Sequence, residues 1–145
     1  MAHAAVSVAS QKPPISGRRK TTMRSLHLLA DPSAMTKSDA LKLFQKFANR
    51  SPIPLGQLRA ELIPDSSWKR ATEVLGQTAA QTVARLAHAL AFSTRTWQSE
   101  ADAIDWLLGP HMELDGATPF SMLRTESGGR AVEYIMAALE YGFPV

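Results

Sequence analysis

The chain has 145 residues and a mass of 15.8 kDa, with 45% hydrophobic and 20% charged residues, enough for one ordinary domain or two small helical units. It contains no cysteine, which excludes disulfides, thiolate zinc sites and thiol catalysis. No run approaches the ~18 apolar residues of a membrane span, and no apolar leader core precedes a cleavage site, so a cytoplasmic protein is expected. The net charge of +3 is unevenly spread: residues 1–36 sum to +4, residues 37–100 to +4 and residues 101–145 to −5. A basic front and an acidic back point to two different partners, and nucleic acid is the common partner of a basic surface.

Residues 1–22 show no apolar periodicity and contain Pro13-Pro14 and the run Arg18-Arg19-Lys20, which reads as an extended arm. Met23, Leu26, Leu29 and Ala30 recur at helical spacing and stop at Asp31-Pro32. The next helix opens with Thr36 or Ser38 as N-cap and Asp39 near its positive end, and carries Leu41, Phe44, Phe47 and Ala48 on one stripe. A second starts at Pro54 with Leu55, Leu58 and Leu62, and Ile63-Pro64 breaks it. A third, capped by Asp65 or Ser66, is expected to turn Trp68, Ala71 and Leu75 inward and to close at Gly76. A fourth opens at Thr78 and buries Ala79, Val83, Leu86, Ala87 and Leu90.

Ser99 caps a fifth helix, with Asp102 three residues on and Ala103, Trp106 and Leu107 facing inward; Gly109-Pro110 stops it. Thr118-Pro119 is an N-cap followed by proline at the first helical position, so a short helix runs to about Arg124. Thr125 or Ser127 starts the last helix, which buries Val132, Ile135, Met136 and Leu139 before Gly142 and Pro144 end it. The expected fold is all-α: a helical bundle containing a helix-turn-helix, followed by a small helical domain. The expected division is a basic extension over 1–35, a helix-turn-helix domain over 36–98 and a carboxy-terminal domain over 99–145.

No set of residues converges as a catalyst. His3, His27, His88 and His111 are scattered, and no phosphate loop, dinucleotide fingerprint or nucleophile elbow is present. Arg85 and His88 share a helix face, as an ordinary surface pair would. His111, Glu113 and Asp115 share one loop, but too few ligands for a metal site, so neither metal nor cofactor is expected. Gly128-Gly129-Arg130 opens a helix, where free amides could bind an anion and two glycines would let another backbone approach. The break Ile63-Pro64-Asp65 between two helices suits a helix-turn-helix, with Ser66, Ser67, Lys69 and Arg70 placed to meet phosphates and base edges.

The carboxy-terminal third runs Trp106-Leu107-Leu108-Gly109-Pro110, Leu114-Asp115-Gly116, Thr118-Pro119, Leu123-Arg124-Thr125-Glu126, Gly128-Gly129-Arg130-Ala131-Val132-Glu133 and Leu139-Glu140-Tyr141-Gly142. This resembles the toxin-binding domain of the Xre/MbcA/ParS antitoxin family: a Trp-Leu helix end, a proline, Leu-x-Gly-x-x-Pro, Leu-x-Thr, a glycine pair with valine and a closing glycine. Phe120-Ser121-Met122 departs from the usual leucine-rich version. The resemblance implies a non-enzymatic antitoxin that blocks the NAD pocket of a RES-domain toxin, which degrades NAD or transfers ADP-ribose. It also implies self-association, a hetero-oligomer with the toxin, and repression of its own operon through operator DNA. On this reading Arg124, Thr125, Glu126, Gly128, Gly129, Arg130, Tyr134, Tyr141, Phe143 and Val145 face the toxin. The competing readings are a free-standing helix-turn-helix regulator that dimerises through its acidic end, and an enzyme using the Gly128-Gly129 entry as a phosphate site.

Overall fold

The computed structural model describes residues 35–142. The expected helix at Met23–Ala30, the basic run before it, and the tail Phe143–Val145 lie outside the described residues. The described residues form seven α-helices and one 3-10 turn, with a single isolated β-bridge and no strand.

Helix α1 spans Lys37–Ala48. Extended Thr36 caps it, its hydroxyl accepting from the Asp39 amide at 3.0 Å. Ala40, Leu43, Phe44 and Phe47 are buried, an i, i+3, i+4, i+7 stripe. Leu41, expected inside, is 38% exposed, because the buried stripe is set one residue back, on Ala40 and Leu43.

Helix α2 spans Leu55–Leu62 and buries Leu58 and Leu62; its N-cap, Pro54, has no amide to orphan. Extended Ile63 ends it and enters the core. Helix α3, Asp65–Arg70, is only six residues long and buries none of them. The expected continuation to Gly76 fails, because β-branched Thr72 and Val74 favour extended backbone and a neighbour there takes up the hydrogen bonds. The Leu75 amide donates to the Met35 carbonyl at 3.1 Å and the Lys37 amide to the Glu73 carbonyl at 2.9 Å, around the bridge of Thr36 with Val74. Leu75 still reaches the core, but from an extended segment. Trp68 is half-buried rather than internal, held between Lys37 Nζ at 4.8 Å and the Arg59 guanidinium at 5.3 Å from its ring.

Helix α4, Gln77–Trp97, is the central element. At 1.5 Å per residue it is about 32 Å long. Its wide buried stripe, from Ala79 and Ala80 through Val83, Leu86, Ala87 and Leu90 to Ser93, packs against helices on more than one side. It ends where Gln98 adopts left-handed backbone, φ 57°. Helix α5, Glu100–Leu108, starts at the Ser99 cap, whose hydroxyl accepts from the Asp102 amide at 3.1 Å. Ala103, Ile104 and Leu107 are its buried face. Trp106, expected inside with them, is half-buried and stacks on His111 with ring centroids 4.8 Å apart. It packs against the core from the edge of the buried face.

A 3-10 turn, Met112–Leu114, buries Leu114 and leaves Met112 91% exposed. Helix α6, Pro119–Met122, is capped by Thr118, and α7, Glu126–Tyr141, by Thr125. Gly142 closes α7 at φ 76°, a left-handed value that glycine adopts without strain. Leu139, expected inside, is 42% exposed. The buried neighbours Ile135, Met136 and Val132 define the seam instead.

One buried cluster extends from Met35 to Met136. Phe120 of α6 stands edge-on to Phe44 and 5.2 Å from Phe47, so α1 covers the carboxy-terminal helices. Lys46–Glu100 at 2.9 Å and the two-pronged Arg50–Asp105 pair, at 2.8 and 2.7 Å, join α1 to α5 outside that core.

Candidate functional site

Helices α4 and α7 lie side by side and run in the same direction. Successive positions on one meet successive positions on the other. Arg85 lies against Gly129, His88 pairs with Glu133 at 3.3 Å, Ser93 Oγ lies 3.1 Å from Met136 Sδ, and Thr96 Oγ1 donates to Glu140 at 3.2 Å. An open groove of about 870 Å³ follows the outer side of this seam. Gln81, Arg85 and His88 form one wall; Arg124, Glu126, Arg130 and Glu133 form the other.

The groove brings together Arg124, Thr125, Glu126, Gly129 and Arg130 of the residues expected to face a partner. Tyr134 and Tyr141 do not line it; they stand on the outer face of α7, 69% and 67% exposed. Arg130, Tyr134 and Tyr141 fall within one narrow arc of the helix, at i, i+4 and i+11.

The two glycines do not open toward a partner. Both are buried against their own chain. A Cβ on Gly128 would overlap the Met122 carbonyl oxygen and lie 2.9 Å from its carbon, and one on Gly129 would come 2.9 Å from Arg85 Cδ. The close backbone approach they permit is therefore internal, between α7, the end of α6 and α4. Nor are their amides free for an anion. Gly128 donates to Thr125 Oγ1 at 3.0 Å and Gly129 to the Thr125 carbonyl at 2.9 Å. Arg130 pairs with Glu126 at 3.1 Å, both side chains well exposed, the kind of surface pair worth little to stability. Arg124 is exposed, and among the described residues no carboxylate pairs with its guanidinium.

Arg85, read from sequence as half of a surface pair, is the residue that reading missed. Its Nε donates to the Leu123 carbonyl at 2.9 Å; its Nη2 donates to the Arg124 carbonyl at 3.0 Å and to Thr82 Oγ1 at 3.1 Å. Burial lowers its pKa from the ordinary arginine value, while the Glu126 charge works the other way. Nothing local to residues 82–88 signals the carbonyl contacts, because those two acceptors are about forty positions away in sequence.

Residues 93–142 match the family model of the antitoxin Xre/MbcA/ParS C-terminal toxin-binding domain. This segment belongs to that antitoxin family. No curated protein matches the chain. With this toxin-binding domain the chain takes the antitoxin role in a toxin–antitoxin pair, and its partner is a toxin. The toxin-binding domain begins in the last turns of α4 and takes in α5, α6 and α7. The α4 wall of the groove, with Arg85 and His88, precedes it.

The residues expected to meet DNA sit on α3. Ser66, Lys69 and Arg70 are exposed and Ser67 is half-buried. Asp65, at the amino end of the same helix, pairs with Arg59 of α2 at 2.7 Å. In the loop considered for a metal, the His111 ring lies on Trp106, and its Nε2 is 3.0 Å from the Trp106 carbonyl. Among the described residues no helix is long and apolar enough to cross a membrane.

Proposed function

We propose that this antitoxin neutralises a RES-domain toxin that consumes NAD, and that it does so by covering the toxin's NAD-binding pocket. The covering surface is the edge from Arg124 to Arg130, the exposed face of α7 with Tyr134 and Tyr141, and the residues that follow through Phe143 and Val145. The observation that carries this reading is Arg124: an exposed guanidinium, with no carboxylate partner among the described residues, in the turn before α7 within the family-matched toxin-binding domain. Its planar fork of donors suits a pyrophosphate subsite or an acidic toxin residue. Tyrosine, with tryptophan and arginine, is enriched among the side chains that anchor protein interfaces, and Tyr134 and Tyr141 are exposed.

The test is inhibition of NAD consumption by the toxin of the neighbouring reading frame. Arg124→Ala, Arg130→Ala and deletion of residues 143–145 are titrated separately. An interface anchor is expected to cost about 2 kcal/mol, roughly thirty-fold in affinity. Equal inhibition by all three variants refutes the surface.

Autorepression of the operon is a second part of the proposal, supported by the exposure of Lys69 and Arg70 on α3. Replacing both with alanine is expected to weaken operator binding and flatten its salt dependence while neutralisation survives. The alternative, a free-standing regulator, requires that no toxin co-purify with the chain.

A further inference from the structure

We propose that Arg85 is the positioning residue of the toxin-facing edge: a clamp from α4 that fixes the backbone carrying Arg124. The proposal rests on the reading of Arg124 to Arg130 as that edge. Leu123 and Arg124 lie in the short connection between α6 and α7, outside both helices. Their carbonyls are the two that the Arg85 guanidinium receives, at 2.9 and 3.0 Å. Its third bond, to Thr82 Oγ1 one turn back on α4, fixes the guanidinium plane. The stem of Arg85 lies against Gly129, so the first turn of α7 packs on the same side chain whose head holds the turn before it. Arg124 is thereby anchored at its own carbonyl while its side chain projects free. An exposed side chain on an unanchored turn would have to be ordered on binding, at an entropic cost; the clamp meets that cost during folding.

Lysine cannot replace this function. Its ammonium is a compact point charge, whereas the two carbonyls and the hydroxyl are reached by a fixed planar fork. Arg85 also lies ahead of residues 93–142, so a residue outside the matched toxin-binding domain sets the geometry of that domain's binding edge.

The experiment uses the full chain, with the purified RES-type toxin of the neighbouring reading frame as the probe. Arg85→Lys keeps the stem and charge, and Arg85→Ala removes both. In the free protein, the carbonyl carbon resonances of Leu123 and Arg124 are expected to move in both variants, since each loses a hydrogen-bond donor, while signals from the α5 core stay in place. Toxin affinity is expected to fall about tenfold for Arg85→Lys. The double variant with Arg124→Ala should bind little more weakly than Arg124→Ala alone, because one residue acts through the other. Additive losses, or carbonyl resonances that do not move, overturn the proposal. If Arg85→Lys binds like the parent while Arg124→Ala weakens binding, the clamp is structural only and the reading of the edge stands. If Arg124→Ala also binds like the parent, both fall.

Discussion

Two pairs of helices present the exposed basic residues proposed to meet partners, and they are built differently. In α2–α3 the chain makes one short helix with two buried leucines and a second with no buried residue at all. That unit joins the core through Leu58, Leu62 and Ile63 and rests on it through Trp68, which Lys37 and Arg59 flank. In α4–α7 two long helices share a buried seam, and a guanidinium ties the turn at one end. Lys69 and Arg70 therefore stand on a short helix that buries no residue of its own and rests on the core through partly buried Trp68 and Ala71, with one lysine bond to the Ala71 carbonyl, while Arg124 stands on a turn whose two successive carbonyls are held by one guanidinium. An exposed cation is presented in one fixed geometry only where the main chain under it is fixed. Contact with a flexible, repetitive partner such as a phosphate backbone tolerates the first arrangement; filling a shaped pocket requires the second.

Core truncation should separate the two regions most sharply. Phe120→Ala removes the ring that joins α6 to Phe44 and Phe47, and is expected to cost about 3–5 kcal/mol in urea denaturation. Trp68→Ala removes a larger but half-buried ring and is expected to cost only about 1–2 kcal/mol, chiefly its cation contacts and partial burial. Equal losses would show that α2–α3 is as firmly held as the core under the carboxy-terminal helices.

Glycine replacement sharpens the contrast with opposite signs. Gly128→Ala drives a methyl into the Met122 carbonyl and is expected to destabilise by about 2–3 kcal/mol. Gly56→Ala, in α2, meets nothing within 4 Å and should stabilise the helix by roughly 0.5–1 kcal/mol. Thermal melts of the two variants check both signs.

The smallest effect is a pH dependence at the link between α1 and α5. The Arg50 hydrogen bond, reinforced by its charge, holds the Asp105 carboxyl below the usual carboxylate range despite some opposing desolvation. A carboxylate with a lowered folded-state pKa stabilises the fold above its unfolded value of about 3.9 and loses that contribution as pH falls through the lower folded value. Both side chains are about half exposed, so screening keeps the effect small. The parent should lose more melting temperature than Asp105→Asn between about pH 6 and about pH 3. An identical loss in both would show that the pair contributes nothing to the fold.

Much of the local structure was legible because it depends on neighbours in sequence. Thr36, Ser99, Thr118 and Thr125 each cap the helix they precede, and Pro119 opens α6, because hydroxyl acceptors and the missing proline amide act within three residues. The failures came where a helix face had a choice of neighbours. Leu41, Trp106 and Leu139 are apolar at helical spacing yet partly exposed, since periodicity defines a stripe but not which edge of it another helix covers. At α3 the segment after Arg70 could have continued as helix; the strand-like pairing with residues 35–37 decided otherwise.

The sequence by itself therefore determined the all-α class, the caps at Thr36, Ser99, Thr118 and Thr125, and the motif of the toxin-binding domain, because each of these is written in residues close together along the chain. Only the tertiary structure decided that Gly128 and Gly129 face inward and that Arg85 holds the turn beneath Arg124. A glycine pair is equally compatible with an approaching partner and with an approaching helix of its own chain. An arginine on a helix face is equally compatible with solvent and with a carbonyl about forty residues away. The side-by-side packing of α4 and α7 selects between these, since it brings the Arg85 stem to Gly129 and its guanidinium to two carbonyls outside any helix.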